Sequence, residues 1–201
     1  MTYPDFFQQT PTILVHDALA ELLGACDGGQ IEYTYPDAVK LAGHSCPTVA
    51  GAYLMTRAAL RALYPDALPE RGQVRVALRE RQDAGVAGVI ANVAGLITGA
   101  AQEGGFKGIG GRFDRRNLLS FGAAIEGEIE FARADGQGRA RLSYHPEVVP
   151  PDAHMKDLMP FIVTGQAVPA QREEFAHLWQ ERVRRILMEH ADDPELIVVG
   201  G

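Results

Sequence analysis

The clearest chemical feature of the chain is a histidine and a cysteine two residues apart. His44 and Cys46 lie in the stretch AGHSCPTVAGAYLM, residues 42–55, where Pro47 directly follows the cysteine. Side chains two apart in an extended chain point the same way, so the imidazole and the thiol can converge on one point. Sulfur with imidazole suits a transition metal, zinc first and also iron, nickel or copper. The same pair suits a nucleophilic thiol beside a base, with Cys46 as the catalytic residue.

Pro47 indicates how Cys46 is positioned, because proline is favoured at the first position of a helix. Cys46 is then at or next to the N-cap, where free backbone N–H groups and the positive end of the helix dipole stabilise a thiolate. The predicted helix covers residues 47–64 and is apolar almost all round, so we expect it to be central and buried. Within it, Gly51 and Ala52 indicate the close approach of another element.

Two further groups are candidate site residues. His16, beside Asp17, is a candidate third metal ligand from a separate element or a polar group near a helix start. The glycine-rich loop GGFKGIGG, residues 104–111, carries Lys107, which we assign as a candidate cofactor-binding residue. The loop lacks the Walker pattern and opens no helix after a strand, so an anion site competes here with a solvated basic face. The neighbouring basic residues are Arg112, Arg115 and Arg116.

The elements that must hold these residues show helical and strand-like patterns. Helices are predicted over 13–24, 36–43, 47–64 and 86–98, and an amphipathic helix over 170–190. Strands are predicted over 30–35, 73–80, 117–123, 127–134 and 139–145, with a hairpin turn at 135–138. Helices, then clustered strands, then helices indicate an α+β fold, with buried helices on a mainly antiparallel sheet and a C-terminal amphipathic helix.

Composition limits the classes of protein to which the chain can belong. With 201 residues and 46% hydrophobic residues, we expect a single domain over 1–201, in which residues 152–201 form a helical extension. The net charge of −7 argues against a nucleic-acid partner. No apolar run reaches the ~18 residues of a membrane helix, and the N-terminus lacks the basic region of a secretory signal. Two cysteines give no disulfide framework, so we expect a cytoplasmic location.

Two blocks of the chain resemble the FmdE family, which takes its name from formylmethanofuran dehydrogenase. GHSCPTVAGAYLM is similar to the family signature H-G-H-x-C-P-G-x-x-x-G-Y-R-M, and IANVAGLITGAAQEGGFKG (90–108) to C-x-D-A-I-Q-x-L-T-G-C-T-x-G-K-G. The matching residues include His44, Cys46, Pro47, Tyr53, Met55, Thr98, Gly99, Lys107 and Gly108. The family's first histidine is replaced by Ala42, and its two later cysteines by Ile90 and Ala100.

The resemblance implies an α+β core, usually dimeric, with a metal or active-site cleft at the H-x-C segment. A homodimer with a small-molecule ligand is therefore expected, and the missing family residues make His16 a more interesting third ligand. Three functions stay open: a metal-dependent enzyme, a metal-handling or accessory subunit without catalysis, and a metal-free thiol enzyme using Cys46. A purely structural His44–Cys46 pair, in a chain that acts as a subunit through its C-terminal helix, is the remaining alternative.

Overall fold

A computed structural model describes residues 3–200 of the chain, and it has the predicted α+β architecture, with two sheets. The helices are α1 (Ala18–Leu22), α2 (Tyr35–Ala42), α3 (Pro47–Leu63), α4 (Ala87–Thr98), α5 (Met155–Val163) and α6 (Pro169–Arg184). The strands are β1 (Ile13–His16), β2 (Gln30–Tyr33), β3 (Val74–Leu78), β4 (Leu119–Ser120), β5 (Ile129–Arg133), β6 (Arg139–Tyr144) and β7 (Ile197–Gly200).

The larger sheet has the strand order β4-β3-β5-β6-β7. Strand β3 pairs with β4 in parallel, whereas the β3–β5, β5–β6 and β6–β7 pairs are antiparallel, so the predicted mainly antiparallel sheet is confirmed. Val74, Val76 and Leu78 of β3 alternate with more exposed residues and face the core, as expected for a sheet covered by helices on one face. Strands β1 and β2 form a separate antiparallel pair.

Helix α3 is the centre of the layer that covers this sheet. It contacts α2 and α4 beside it and β5, β6 and β7 beneath it. The buried side chains of its first turns are Val49, Ala50, Ala52, Tyr53, Leu54 and Met55. The prediction of a buried helix beginning at Pro47 is confirmed, and the structure ends it at Leu63. Between residues 3 and 200, no helix combines the length and the apolar character needed to cross a membrane.

Gly51 allows strand β6 to approach α3 closely. A Cβ atom on Gly51 would lie 2.4 Å from the ring of Tyr144, far inside contact distance. The Tyr144 hydroxyl donates a hydrogen bond to the carbonyl of Pro47, at 2.9 Å. The predicted close approach is confirmed, and it fixes a tyrosine from β6 beside the first turn of α3.

The helix predicted over residues 13–24 is wrong in its first part. Ile13–His16 is strand β1, and only Ala18–Leu22 is helical. Asp17 has an extended backbone, and its carboxylate accepts hydrogen bonds from the N–H groups of Leu19 and Ala20. An N-cap in this conformation marks the start of the helix, so the residues before it are free to pair with β2.

Two further boundaries differ from the prediction. The strand expected over 117–123 is reduced to Leu119–Ser120. The C-terminal region, expected to be a helical extension, is helical only as far as residue 189, and Ile197–Gly200 then returns to the sheet as β7. Val183, Ile186 and Leu187 of this region are buried in the same hydrophobic core as α3, so it is part of the main body.

Candidate functional site

Cys46 ends the loop that leads into α3. Its backbone is extended, with φ −151° and ψ 167°, and its Sγ accepts a hydrogen bond from the N–H of Val49 at 3.4 Å. The predicted N-cap position is confirmed, and Pro47 is the first helical residue. The residue is 8% exposed, so its sulfur is both shielded and close to the positive end of α3. The sulfur thus faces the N-terminal end of α3, where one backbone N–H, that of Val49, points at it.

His44 lies in the turn between α2 and α3, after Gly43, which closes α2 with φ 76°. Its side chain is exposed, and Nδ1 is 3.0 Å from the carbonyl oxygen of Ala42. Because a carbonyl can only accept, Nδ1 carries the proton in this hydrogen bond, and in the neutral imidazole Nε2 is then the nitrogen with a lone pair. Histidines that bind metals commonly have their other ring nitrogen held in this way.

The structure brings His44 and Cys46 to the wall of one cavity of about 570 Å³, which we call the site pocket. Its lining residues are His44, Cys46, Pro47, Thr48, Val86, Ile90, Glu128, Tyr144, Pro146, Trp179 and Arg182. An adjoining cavity of about 540 Å³ shares four of these residues, Val86, Ile90, Glu128 and Tyr144. The H-x-C segment therefore opens onto an extended cleft whose walls come from α4, β6, α6 and the loops beside them.

Ser45, between the two candidate ligands, is the point at which α6 fastens the loop. The indole N–H of Trp179 and the side-chain amide of Gln180 donate to the Ser45 carbonyl at 3.0 and 3.3 Å. The Ser45 hydroxyl donates to Oε1 of Gln180 at 3.0 Å and lies 2.9 Å from the hydroxyl of Tyr35. The conformation of the H-x-C loop thus depends on a helix about 135 residues further along the chain.

Two opposite charges line the site pocket without pairing with each other. Arg182 donates from Nε to the carbonyl of Val149 at 2.7 Å and from Nη2 to that of Pro146 at 2.9 Å. Oε2 of Glu128 accepts a hydrogen bond from the backbone N–H of Tyr144 at 3.1 Å. Burial raises the pKa of Tyr144, so its phenol stays protonated as a donor. The pocket therefore holds a cation, an anion and a neutral phenol, each fixed by a backbone contact.

The structure does not bring His16 to the site pocket. His16 ends β1, and its ring lies between two carboxylates, with Nδ1 2.9 Å from Glu70 and Nε2 3.0 Å from Glu21. The hydrogen bond with Glu70, followed by the one with Glu21, raises the pKa of His16. An imidazolium that donates from both nitrogens has no lone pair for a metal. In this arrangement His16 is a charged partner of Glu21 and Glu70, not a third ligand beside His44 and Cys46.

Lys107 is exposed in the glycine loop and does not line the site pocket. Two of the basic residues after it in the chain are held by carboxylates. Arg115 is 7% exposed and pairs with Asp17 at 2.7 Å, and Arg116 pairs with Asp114 at 2.7 Å. The pair between Arg115 and Asp17 ties the loop to the body, and a cofactor contact by Lys107 stays a prediction.

The site pocket offers part of a metal site. Within residues 3–200, no group of three His, Cys, Asp or Glu side chains is arranged to hold a metal ion. Zinc in proteins takes four protein donors in structural sites, and three plus an open position in catalytic sites. His44 and Cys46 supply two suitable donors, so the others would have to come from a bound molecule, from water or from another chain.

The sequence patterns did not identify the opposite wall of the pocket. Glu128, Tyr144 and Arg182 carried no prediction of a site role, and Trp179 was covered only by the amphipathic helix predicted over 170–190. No local spacing connects these residues with His44, although the single tryptophan of the chain was a signal that could have been followed. Comparison of the chain with protein-family models and with curated proteins gives no match.

Proposed function

We propose that the site pocket binds a transition metal, zinc by preference, through Nε2 of His44 and Sγ of Cys46, and that a small molecule enters the pocket beside it. The observation that carries this proposal is the pair of supporting hydrogen bonds. Nδ1 of His44 donates to the Ala42 carbonyl, and Sγ of Cys46 accepts from the N–H of Val49, so a backbone hydrogen bond holds each of the two side chains. Such outer contacts orient ligands and tune their basicity.

In this proposal the chain's own residues prepare the site. The N–H of Val49 holds the Cys46 sulfur at the start of α3, and the hydrogen bond to Ala42 favours the neutral His44 tautomer with a free Nε2. A bound metal would supply Lewis-acid chemistry to a ligand atom in the pocket. Water, the small molecule or a second copy of the chain would complete the coordination, which is consistent with the homodimer that the FmdE resemblance implies.

Metal analysis of purified protein tests this proposal. The wild type is expected to retain nearly stoichiometric metal after dialysis, and the His44→Ala, Cys46→Ala double variant to retain almost none. Cys26→Ala is the matched control, because Cys26 is the other free cysteine and lies outside the site pocket. Equal metal contents in the wild type and the double variant would refute the proposal.

A second candidate function is metal-free thiol chemistry at Cys46. The position of the Cys46 sulfur at the N-cap of α3 favours it. In metal-free protein, alkylation of Cys46 by iodoacetamide is then expected to stay fast at pH values at which alkylation of Cys26 has slowed. Identical pH profiles for the two thiols would remove this candidate.

A metal-handling role without catalysis uses the same two ligands and differs in kinetics. Rapid loss of the metal to a chelator would favour delivery or storage, whereas slow exchange with turnover of a small molecule would favour an enzyme. We also propose that the chain is a member of the FmdE family and that the protein is cytoplasmic. The free thiols of Cys26 and Cys46 are compatible with a reducing compartment.

A further inference from the structure

We propose that the small molecule of the site pocket is an organic monoanion with an apolar body, and that Arg182 binds its anionic group. This inference rests on the pocket described under the proposed function and specifies the class of its ligand. Three observations support it: a cation without a counter-ion, an apolar wall beside it, and a carboxylate that excludes a second negative charge.

Arg182 is a partly buried cation that no carboxylate neutralises. Within residues 3–200 it makes no salt bridge, and its two hydrogen bonds go to the carbonyls of Val149 and Pro146. Its Nη1 atom has no hydrogen-bond acceptor among these residues. This atom is not fully buried, so a ligand can reach it. The guanidinium keeps its charge at all ordinary pH values, so a bound anion would supply the missing counter-charge.

The guanidinium is also held in place before any ligand arrives. Bonds from Nε and Nη2 to two carbonyls fix the plane of the group and leave both N–H groups of Nη1 without an acceptor among residues 3–200, so that Nη1 can donate to a ligand. A donor that is already ordered loses little conformational entropy on binding. Charge-assisted hydrogen bonds from arginine to carboxylate or phosphate oxygens are the strong ones, and of these two groups the carboxylate carries a single charge.

The remainder of the ligand must suit an apolar surface. Val86, Ile90 and Trp179 line the site pocket with Arg182, and the indole of Trp179 is held by its hydrogen bond to Ser45. Such a wall favours an aliphatic or aromatic body because burying apolar area is favourable. The cavity of about 570 Å³ is within the range of small-molecule sites.

Glu128 limits the ligand to one negative charge. It lines the same pocket, is bound to the Tyr144 N–H, and makes no salt bridge with any residue between 3 and 200. A second carboxylate on the ligand would meet this uncompensated anion and be repelled. A monocarboxylate can place its charge at Arg182 and its apolar end elsewhere in the pocket.

A titration followed by the fluorescence of Trp179, the only tryptophan of the chain, tests the proposal on metal-stripped full-length protein. Four molecules of equal chain length separate charge from apolar area: hexanoate, hexanol, hexylamine and adipate. Hexanoate is expected to bind roughly 10- to 100-fold more tightly than hexanol, the factor typical of one charge-assisted hydrogen bond. Hexylamine and adipate are expected to bind more weakly than hexanoate.

Substitutions then assign each preference to a residue. Arg182→Met should reduce the affinity for hexanoate to that for hexanol. Arg185→Met, three residues further along the same helical segment, should leave it unchanged, because Arg185 donates to Pro150 and does not line the pocket. Glu128→Gln should bring the affinity for adipate close to that for hexanoate. Circular dichroism verifies that each variant is folded.

Equal binding of hexanoate and hexanol by the wild type would overturn the proposal even if Arg182→Met failed to fold. Unchanged hexanoate affinity in a folded Arg182→Met protein would also overturn it. The His44→Ala, Cys46→Ala variant separates the two proposals, because it should still prefer hexanoate. If the wild type binds no metal but still prefers hexanoate, only the proposed metal site is contradicted. If the wild type binds metal but shows no preference for hexanoate, only the proposed ligand class is contradicted.

Discussion

Asp17 is a buried carboxylate that binds two arginines. It is 3% exposed, caps α1 through two backbone N–H groups, and accepts from Arg71 at 2.9 Å and Arg115 at 2.7 Å. Burial raises the pKa of Asp17, but the hydrogen bond from Arg71 and the other contacts outweigh it, so the net shift is downward. One carboxylate thus holds α1, the segment between α3 and β3, and the glycine loop together.

We expect Asp17→Asn to destabilise the protein by about 3–5 kcal/mol, because it leaves two partly or fully buried guanidinium groups without a counter-charge. Urea unfolding measures this loss. Asp114→Asn is the matched control, since Asp114 pairs with Arg116 on the exposed side of the loop, and we expect no measurable change there. Similar stabilities for the two variants would contradict the central role of Asp17.

His16 makes stability depend on pH around neutrality. Its pKa is raised above the ordinary value of 6.5 by Glu70 and Glu21, so the folded state binds the proton more tightly than the unfolded state does. The contribution to stability is therefore fully present below pH 6.5 and is lost as the pH rises through the folded-state pKa.

For His16→Gln we expect a lower free energy of unfolding than for the wild type at about pH 5, and a smaller difference between the two at about pH 8. Urea unfolding of both proteins across this range measures the difference. A difference that grows with pH would show that the two carboxylates do not hold a proton on His16.

At the scale of elements, the packing of α3 against β6 sets the geometry of the site pocket. The ring of Tyr144 occupies the space left by the missing side chain of Gly51, and its hydroxyl binds the first turn of α3. The same ring lines the pocket next to Cys46. A change in this contact should therefore affect both stability and ligand binding.

Gly51→Ala tests that contact. Replacing glycine by alanine inside a helix stabilises the helix by up to about 1 kcal/mol. Forcing a methyl group against a rigid ring costs about 1–3 kcal/mol. Because the new Cβ would lie 2.4 Å from the ring, we expect the clash to dominate and the variant to be less stable in urea. Gly104→Ala, in open space, should be close to neutral. A stabilised Gly51→Ala protein would mean that Tyr144 can move away at little cost.

At the scale of the whole molecule, the C-terminal third packs into the same core and the same sheet as the rest of the fold. Ile186, Leu187 and Leu196 are completely buried in the core that contains α3. Strand β7 extends the main sheet beside β6, and α6 holds the H-x-C loop through Ser45. These links join the C-terminal region to the core, to the sheet and to the site pocket.

We therefore expect a single unfolding transition. Trp179 fluorescence, which reports on α6, and far-ultraviolet circular dichroism, which reports on all helices, should give coincident urea curves. Leu187→Ala should shift both curves together by about 2–5 kcal/mol, whereas Leu22→Ala, at a site 58% exposed, should shift neither. Separate midpoints for the two signals would indicate a C-terminal region that unfolds independently.

The sequence by itself determined the features that depend on neighbours along the chain. Pro47 and Cys46 define the start of α3, the apolar surface of that helix requires burial, and the clustered strands indicate an α+β fold. Propensity, capping and periodicity act over a few residues, so a single sequence carries them. The same local rules misassigned Ile13–His16, because pairing with β2 overrides helical spacing in a segment that short.

Only the tertiary structure decided what surrounds His44 and Cys46. Trp179 and Arg182 come to the pocket from α6, while Glu128 and Tyr144 come from the β5–β6 region. Their positions follow from the way the helices and the sheet pack, which no spacing in the sequence encodes. For the same reason the sequence could propose His16 as a ligand, and only the packed structure could place it between Glu21 and Glu70 instead.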